Sequence, residues 1–245
     1  MSYTIIPQSE LEIFNRLCKE FKVVFDIGCR DDVDYFHINP SCEYHLFEPN
    51  TIAINSLNQK LSKLNNHRII LNEFGLSDIS QEECCYYRNI ESFTINPWVG
   101  GIDYGDRFSL KTLDEYIESN NIEKIDFLKI DVEGLDYKVI LGGLETIKNK
   151  NMVSYIQIEY NGGIKQYVDL LENFDFYWMM EPLLLNAVNN MDNRMDFNKS
   201  LIKLDIDLIN FIDNVVSPTG NGGNILGINK QKTDIDIDTI TFKII

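Results

Sequence analysis

The chain has 245 residues, with 22 Lys+Arg against 38 Asp+Glu, and a formal net charge of −16 at pH 7. That excess of negative charge repels phosphate backbones and anionic membrane surfaces, so a nucleic-acid partner is disfavoured. At 44% hydrophobic and 11% aromatic residues, the chain carries enough apolar surface to fold around a sizeable core, which excludes a disordered chain.

Ser9 and Glu12 have the spacing of a capping box and predict a helix to about Phe21. KVVFDIG (22–28) is an apolar run closed by Asp and Gly, a buried strand leading into a tight turn. EYHLFEP (43–49) is a second strand, ended by Pro49, and a helix follows from about Thr51 to Leu64. RIILNEFGLSD (68–78) reads as a third strand and its exit loop. Residues 81–108 are mixed, with short strands and a glycine-rich loop at VGGIDYGD. Thr112 and Glu115 form a second capping box, opening a helix through about Ser119. DFLKID (126–131) is another buried strand, and LDYKVILGGLETIKN (135–149) has apolar residues at close to helical spacing. SYIQIEY (154–160) is the next strand and IKQYVDLLENF (164–174) the next helix. Beyond Phe176, NILGIN and TITFKII read as late strands, 183–216 as a helical insertion, and DIDLIN and DIDIDT as strand edges.

Strands alternating with helices predict an α/β fold with a mostly parallel sheet and helices on both faces. The expected organisation is a single domain over 1–245. It has an N-terminal helix (1–21), a core (22–176), and a C-terminal part with the insertion and last strands (177–245). Five cysteines with no CxxC pair support neither a zinc site nor a disulfide scaffold, and fit reduced thiols in the cytoplasm. MSYTIIPQSELEIF lacks the basic and apolar regions of a signal peptide, and no run of about 18 apolar residues marks a membrane segment. A cytoplasmic protein is expected.

Ligands of open α/β sheets sit beyond the carboxyl ends of the strands. Asp26 with Gly28, Glu48, Asp78 and Asp131 stand at such ends. Glu48 lies 48 − 26 = 22 positions after Asp26, close to the spacing of an acid that binds ribose hydroxyls. A carboxylate can accept two hydrogen bonds from a 2′,3′-diol. DIGCRDD has one glycine, with Arg30, Asp31 and Asp32 where a pyrophosphate would lie. Acids there oppose a dinucleotide and suit a cationic cofactor without phosphate, such as S-adenosylmethionine. Each residue also has a plain structural reading: a turn at Asp26–Gly28, a strand end at Glu48, an N-cap at Asp78.

VVFDIGCRDD, YHLFEPN, EFGLSD, LKTLDEYI, IDFLKIDVEGLDYKVILGG and IQIEYN, in that order, resemble the FkbM-type family of S-adenosylmethionine-dependent methyltransferases. The resemblance covers roughly residues 20–165, with a weaker echo at GGNILGIN, and LKIDVEG followed by an acid is its most distinctive part. It implies a Rossmann-like class I methyltransferase with a seven-stranded sheet, and O-methylation, often of sugar or natural-product hydroxyls. It implies that Asp26, Gly28, Cys29 and Arg30 form the first cofactor loop, and that Glu48, with Pro49 and Asn50, holds the ribose. Leu76, Ser77 and Asp78 would sit near the adenine, and Asp131 would face the methyl group. The family loop usually has a second glycine four residues after the first, where this chain has Asp32.

Lys129 and Asp131 share one face of a strand, because side chains alternate. Past the strand, Asp131 and Glu133 enter the crevice and Gly134 permits a turn into a helix. Transfer of a methyl group to a hydroxyl needs a base for the hydroxyl proton. Asp131 is the first candidate, Glu133 and Glu159 the second, and Lys129 would hold a carboxylate or the acceptor oxygen. The plain reading is that the acids cap a helix and Lys129 snorkels. Asp131, Glu159 and Asn161 form a conceivable Mg²⁺ set. Lys129, Asp131 and Glu159 with a further lysine would resemble the set of RNA ribose methyltransferases, which the acidic charge opposes. His37 follows the cofactor loop, His45 lies within a strand, and Trp98, Trp178, Tyr104 and Tyr177 are core aromatics that could also stack on a sugar. The expected function is O-methylation of a hydroxyl on a sugar, glycan or glycosylated metabolite. The alternatives are a degenerate, non-catalytic binding protein on the same fold and an RNA ribose methyltransferase. Acceptor identity and oligomeric state are not written in the chain.

Overall fold

The computed structural model describes residues 9–64, 68–88, 93–94, 102–160, 162–180, 200–219, 222–231 and 235–241. It divides into two compact units, a first of residues 22–33 and 41–159 and a second of residues 1–21, 34–40 and 160–245.

The first unit holds strands β1 (Val23–Ile27), β2 (Glu43–Phe47), β3 (Ile69–Asn72), β4 (Gly75–Leu76), β5 (Gln81–Arg88), β6 (Phe93–Thr94), β7 (Ile102–Lys111), β8 (Ile125–Ile130) and β9 (Val153–Tyr160). Its main sheet runs in the order β9-β8-β1-β2-β3, and every neighbouring pair is parallel. The order reverses between β1 and β8, so the crevice beyond their carboxyl ends is the place where an open sheet holds a ligand. All six residues of β8 are buried, the near-continuous burial of a parallel strand covered on both faces.

The charged members of DFLKIDVEG are therefore exceptions that need partners. Asp126 meets this at the start of the sheet, where its Oδ2 accepts the N–H groups of Lys22 and Val23 at 2.7 and 3.0 Å and Lys124 pairs with its other oxygen. It anchors the entry of β1 and is remote in sequence direction from the strand's carboxyl end. Phe25, Phe47 and Tyr116 pack around the buried His45, whose ring stacks on Phe25 at 4.4 Å. His45 Nδ1 lies 2.7 Å from Tyr116 Oη and Nε2 2.9 Å from Glu43, and burial holds its pKa below the ordinary value. It is a packing residue. Helix α4 (Leu113–Asn120) opens as its capping box predicts, with Thr112 Oγ1 accepting the Glu115 N–H at 3.2 Å.

A second sheet, β4-β7-β5-β6, occupies 75–111. The region expected to hold short strands contains two long ones, β5 and β7, paired antiparallel with register shifts. Their length is hidden in the sequence because bulges break the period-2 pattern.

The second unit holds α1 (Ser9–Leu17), α2 (Asp34–Ile38), α6 (Ile164–Leu170), α7 (Ile206–Phe211) and α8 (Ile237–Ile240), with antiparallel strands in the order β11 (Leu201–Lys203), β10 (Phe174–Met179), β12 (Gly223–Asn229). Trp178 is fully buried and its Nε1–H donates to Tyr160 Oη at 2.7 Å. The Asp213 carboxylate caps α6 by accepting the N–H groups of Ile164 and Lys165. The larger sheet counts eight strands, where seven were expected. The two Asp-rich stretches expected as strand edges open helices instead. Asp205 accepts the Leu208 N–H at 2.8 Å and Asp236 the Asp238 N–H at 3.1 Å. In each, an N-capping side chain outweighs the alternation; Leu208, Ile209 and Ile212, at helical spacing, are buried. TITFKII likewise begins in α8, and its last four residues lie outside the described ones. Of the expected insertion, 206–216 is helical, while 183–199 lies outside the described residues. Among the described residues no helix is long and apolar enough to cross a membrane.

Candidate functional site

The loop after β1 meets the loop after β8 without room for a side chain. Gly28 has φ +80, and a Cβ on it would lie 1.8 Å from the Asp131 carbonyl oxygen. The N–H groups of Gly28 and Cys29 both donate to the Phe47 carbonyl, and the Asp131 N–H donates to the Ile27 carbonyl. Three strand ends are thereby laced together at the order reversal. The Cys29 thiol is buried, and burial pushes its pKa well up. Arg30 is exposed and left-handed, with φ 55, and its N–H donates to Glu48 Oε2 at 2.9 Å.

Glu48 lies buried beyond β2. Its Oε1 accepts the Asn50 N–H at 2.7 Å. Burial raises its pKa, while the two backbone N–H donors act against that. A carboxylate has about four lone-pair sites, so two amides leave capacity for a diol. Asn50 in turn caps α3 (Thr51–Leu64) through Ile52 N–H, and Pro49 fixes the exit from β2. Asp31 is turned onto α3, where Lys60 and Ser56 hold its carboxyl below the usual range. Asp32 is exposed, with its N–H on the Cys29 carbonyl.

Leu76 at the end of β4 and Ser77 just after it are buried. A Cβ on Gly142 would sit 2.0 Å from the Ser77 carbonyl oxygen, which packs this turn on the end of α5 (Asp136–Leu141). Ser77 Oγ is 3.0 Å from Asp78 Oδ1, and Lys138 Nζ is 3.7 Å from that oxygen.

Lys129 lies between two acids. Its Nζ is 3.1 Å from Asp131 Oδ2 and 3.5 Å from Asp26 Oδ1, and its strand register puts it directly opposite Asp26. Lysine does not reach solvent by snorkelling here: its side chain is 11% exposed. The Asp131 side chain is 37% exposed at the mouth of the crevice, and the pairing of β8 with β9 puts Glu159 at the neighbouring strand end. Burial and the neighbouring Asp131 raise the Glu133 pKa, with Arg30 pulling it down. Glu133 has φ 55 and Gly134 φ +85, and a Cβ on Gly134 would meet nothing within 4 Å. Gly134 is therefore needed for its conformation, Gly28 for conformation and space together.

Neither Asp131 nor Glu133 caps α5. That loop is pinned by Asp136, which sequence reasoning noted only as the acid following LKIDVEG. The side chain is 1% exposed, with Oδ1 accepting the Val132 N–H at 3.0 Å and Oδ2 the Gly134 N–H at 3.2 Å. Asn72 was also missed; its carbonyl accepts the Glu48 N–H, and nothing in its sequence context marks it out. Asn161 lies outside the described residues, and among the described residues no three His, Cys, Asp or Glu form a metal-holding group; the Mg²⁺ set has no support. His37 lies exposed on α2 in the second unit. Trp98 and the side chain of Tyr104 lie outside the described residues.

Burial pushes Asp136 up to about 6 from its ordinary 3.8. The folded chain then holds a proton that the unfolded chain releases above pH ~4. This group's contribution to stability is full below pH ~4 and is lost as pH rises through about 6. The stability difference between wild type and Asp136→Asn is expected to shift by about 3 kcal/mol across that window, against wild type at the higher pH. Urea unfolding of both proteins at several pH values checks this; a pH-independent difference would refute it.

The residues fit S-adenosylmethionine. A buried carboxylate with spare acceptor capacity stands where a ribose belongs, and the crevice carries carboxylates suited to a sulfonium. The model of the methyltransferase FkbM domain matches residues 26–195. The 2-O-methyltransferase NoeI of Sinorhizobium fredii (strain NBRC 101917 / NGR234) is 23% identical over 197 residues, covering 69% of this chain and 80% of that protein. Among solved structures, the FkbM methyltransferase from Methylobacillus flagellatus KT is similar at TM-score 0.46 and 13% identity, over 66% of this chain; the chain spans 43% of that one's length. TrmK of M. capricolum, in complex with S-adenosylhomocysteine, is similar at TM-score 0.44 and 16% identity, over 98% of this chain and 74% of that one. With the family model matched from the first strand's Asp26 to residue 195, across both candidate loops, the chain belongs to the FkbM methyltransferase family and is an S-adenosylmethionine-dependent methyltransferase.

Proposed function

We propose that this methyltransferase acts on oxygen, methylating a hydroxyl of a sugar on a glycan or a glycosylated metabolite. We read the whole chain, 1–245, as one methyltransferase domain working in the cytoplasm. The observation that carries the reading is Asp131, a carboxylate at the mouth of the β1/β8 crevice, held 3.1 Å from Lys129 Nζ. The Sinorhizobium fredii relative is named a 2-O-methyltransferase, which supports oxygen as the acceptor atom. The net charge of −16 speaks against RNA.

In this reading Glu48 holds the ribose diol. Asp26, Gly28, Cys29 and Arg30 shape the loop at the cofactor's methionine end, Pro49 and Asn50 fix the turn beside the ribose, and Leu76, Ser77 and Asp78 flank the base. When bound, the cofactor supplies a methyl group on a sulfonium, whose carbon–sulfur bond breaks with its electron pair left on sulfur as the acceptor oxygen bonds to carbon. Asp131 takes the hydroxyl proton, a role worth typically 10²–10⁴-fold. Lys129 keeps Asp131 and Asp26 apart electrostatically and fixes the rotamer of Asp131. Glu133, exposed beside the crevice, accepts a proton from Asp131 or an acceptor hydroxyl.

The test is transfer of labelled methyl groups from S-adenosylmethionine to a panel of mono- and oligosaccharides. Turnover on a sugar hydroxyl is expected in wild type, with a loss of about 10²–10⁴-fold in Asp131→Asn and retained binding of S-adenosylhomocysteine. Cofactor binding without turnover on any hydroxyl acceptor would favour a degenerate binding protein, and full turnover in Asp131→Asn would remove Asp131 as the base.

A further inference from the structure

A buried lysine is a poor neighbour for a base. Lys129 Nζ is 3.1 Å from Asp131 Oδ2 and 3.5 Å from Asp26 Oδ1, and the side chains of Lys129 and Asp26 are 11% and 6% exposed. An ammonium beside a carboxylate favours the ionised form and makes it a weaker base. Once that carboxylate takes a proton, a lysine with no other partner becomes an uncompensated buried charge. A base held by one buried lysine alone therefore resists the step it has to perform.

Asp26 removes that obstacle. It stands directly opposite Lys129 in the parallel register of β1 and β8, so the two side chains share one face of the sheet. On its other flank Lys129 faces Gln157 of β9, which is neutral and 1% exposed, and the buried Cys29 thiol lies near it in the loop after β1. Asp131 has Lys129 on its own strand, and its further charged neighbours, Glu133, Asp136 and Glu159, are all acids. Both Asp26 and Asp131 lie within ion-pairing distance of the one ammonium. A small rotation of the lysine's terminal bonds moves it from one to the other.

We propose that Asp26 is a positioning residue that acts on the base through Lys129: as Asp131 takes the acceptor's proton, Asp26 takes over the ammonium. This rests on the reading of Asp131 as the base. In turnover the acceptor O–H bond breaks, its proton bonds to Asp131, and the oxygen's electron pair goes to the methyl carbon. Lys129 keeps its three hydrogens throughout, and no proton reaches Asp26. The ammonium is paired mainly with Asp131 before the transfer and with Asp26 after it, so the buried cation has a partner at each stage. Asp131, at the exposed mouth, then gives its proton to water and draws the lysine back. Asp26 has this task besides shaping the cofactor loop.

The first test uses the ligand-free wild-type chain, isotope-labelled at lysine nitrogens and at carboxyl carbons, and followed by NMR as pH falls. The Lys129 ammonium resonance is expected to move at the same midpoint as the Asp131 carboxyl, which Asp131→Asn identifies, and to stay protected from exchange. A Lys129 resonance that ignores the Asp131 titration, or that loses its protection there, overturns the handover. In Asp26→Asn the Asp131 midpoint is expected to fall, by about tenfold or more in proton affinity; an unchanged midpoint overturns the role of Asp26. Methyl transfer at saturating cofactor tests the catalytic part. Asp26→Asn is expected to lose about threefold to tenfold in kcat and to shift the acid limb of the pH profile downward. The double variant Asp26→Asn/Lys129→Met is expected to recover part of that loss, because no cation remains to be stranded. A double variant as slow as Asp26→Asn, or slower, overturns the proposal, as does a loss of stability with no change in the pH profile. A wild type without turnover overturns the proposed function and with it the catalytic part, while the two resonances still decide whether Lys129 passes from one acid to the other.

Discussion

Gly28→Ala is expected to destabilise the chain by about 3 kcal/mol or more. Two separate penalties act. The left-handed backbone of a non-glycine residue costs about 1–2 kcal/mol. The added methyl carbon would start 1.8 Å from the Asp131 carbonyl oxygen and 2.8 Å from its carbonyl carbon. Both atoms are backbone, so no side-chain rotation relieves the clash. Overpacking of this kind adds about 1–3 kcal/mol, and relief requires β1 and β8 to part where the Asp131 N–H donates to Ile27. That movement displaces Asp131 from Lys129 as well. Gly134→Ala is the matched control. It has φ +85 but nothing within 4 Å of its missing Cβ, so it pays only the conformational cost. Urea unfolding of both variants measures the difference; equal losses would show that the two loops do not approach as closely as the Gly28 geometry requires.

The same pair of glycines shows what sequence could and could not say. Both stand after strands in a recognisable pattern, and both were legible as turns. That one of them is a point of backbone contact between strands more than 100 residues apart is a tertiary fact with no local signature. The parallel strands were legible because burial on both faces leaves long apolar runs, and Glu48 and Asp131 because strand ends with acids are rare interruptions of such runs. The acids themselves were harder to sort. Asp126 and Asp131 belong to one nine-residue stretch, yet one anchors the entry of β1 and the other opens on the crevice. Five residues of rise along the strand separate them, and only the pairing of β8 with β1 tells which end matters. Asp205 and Asp236 look like polar positions of alternating strands, and become N-caps because a side-chain oxygen reaches an amide two or three residues on. Asp136 and Glu159 illustrate the last limit. Their identity is printed in the chain, but how readily they ionise is set first by how deeply the fold buries them and then by which other acids it brings near.

Glu48→Ala is expected to weaken binding of S-adenosylhomocysteine by about 10²-fold or more. The argument starts from the hydrogen bonds Glu48 already makes. Its carboxylate accepts the Arg30 N–H at 2.9 Å and the Asn50 N–H at 2.7 Å, so it ties the loop after β1 to the loop after β2. Charge-assisted bonds of this kind contribute about 1.5–3 kcal/mol each. Alanine leaves both amides without their acceptor and frees Arg30 from the condition that sustains its left-handed backbone. It also removes the oxygens available to a ribose diol. Loss of one charged hydrogen bond to the ligand, at about 2.7 kcal/mol or more, already amounts to 10²-fold in affinity. Glu48→Gln separates loop bracing from ligand binding. Its amide oxygen can keep one backbone N–H, but its NH₂ meets a second donor and offers one acceptor fewer to the diol, so a loss of about tenfold is expected. Calorimetric titration of the three proteins gives the answer directly. Affinity ordered wild type, then Gln, then Ala assigns the ribose to Glu48. Unchanged affinity in Glu48→Gln with a strong loss in Glu48→Ala would make Glu48 a brace between two loops and move the ribose to another acceptor at the strand ends.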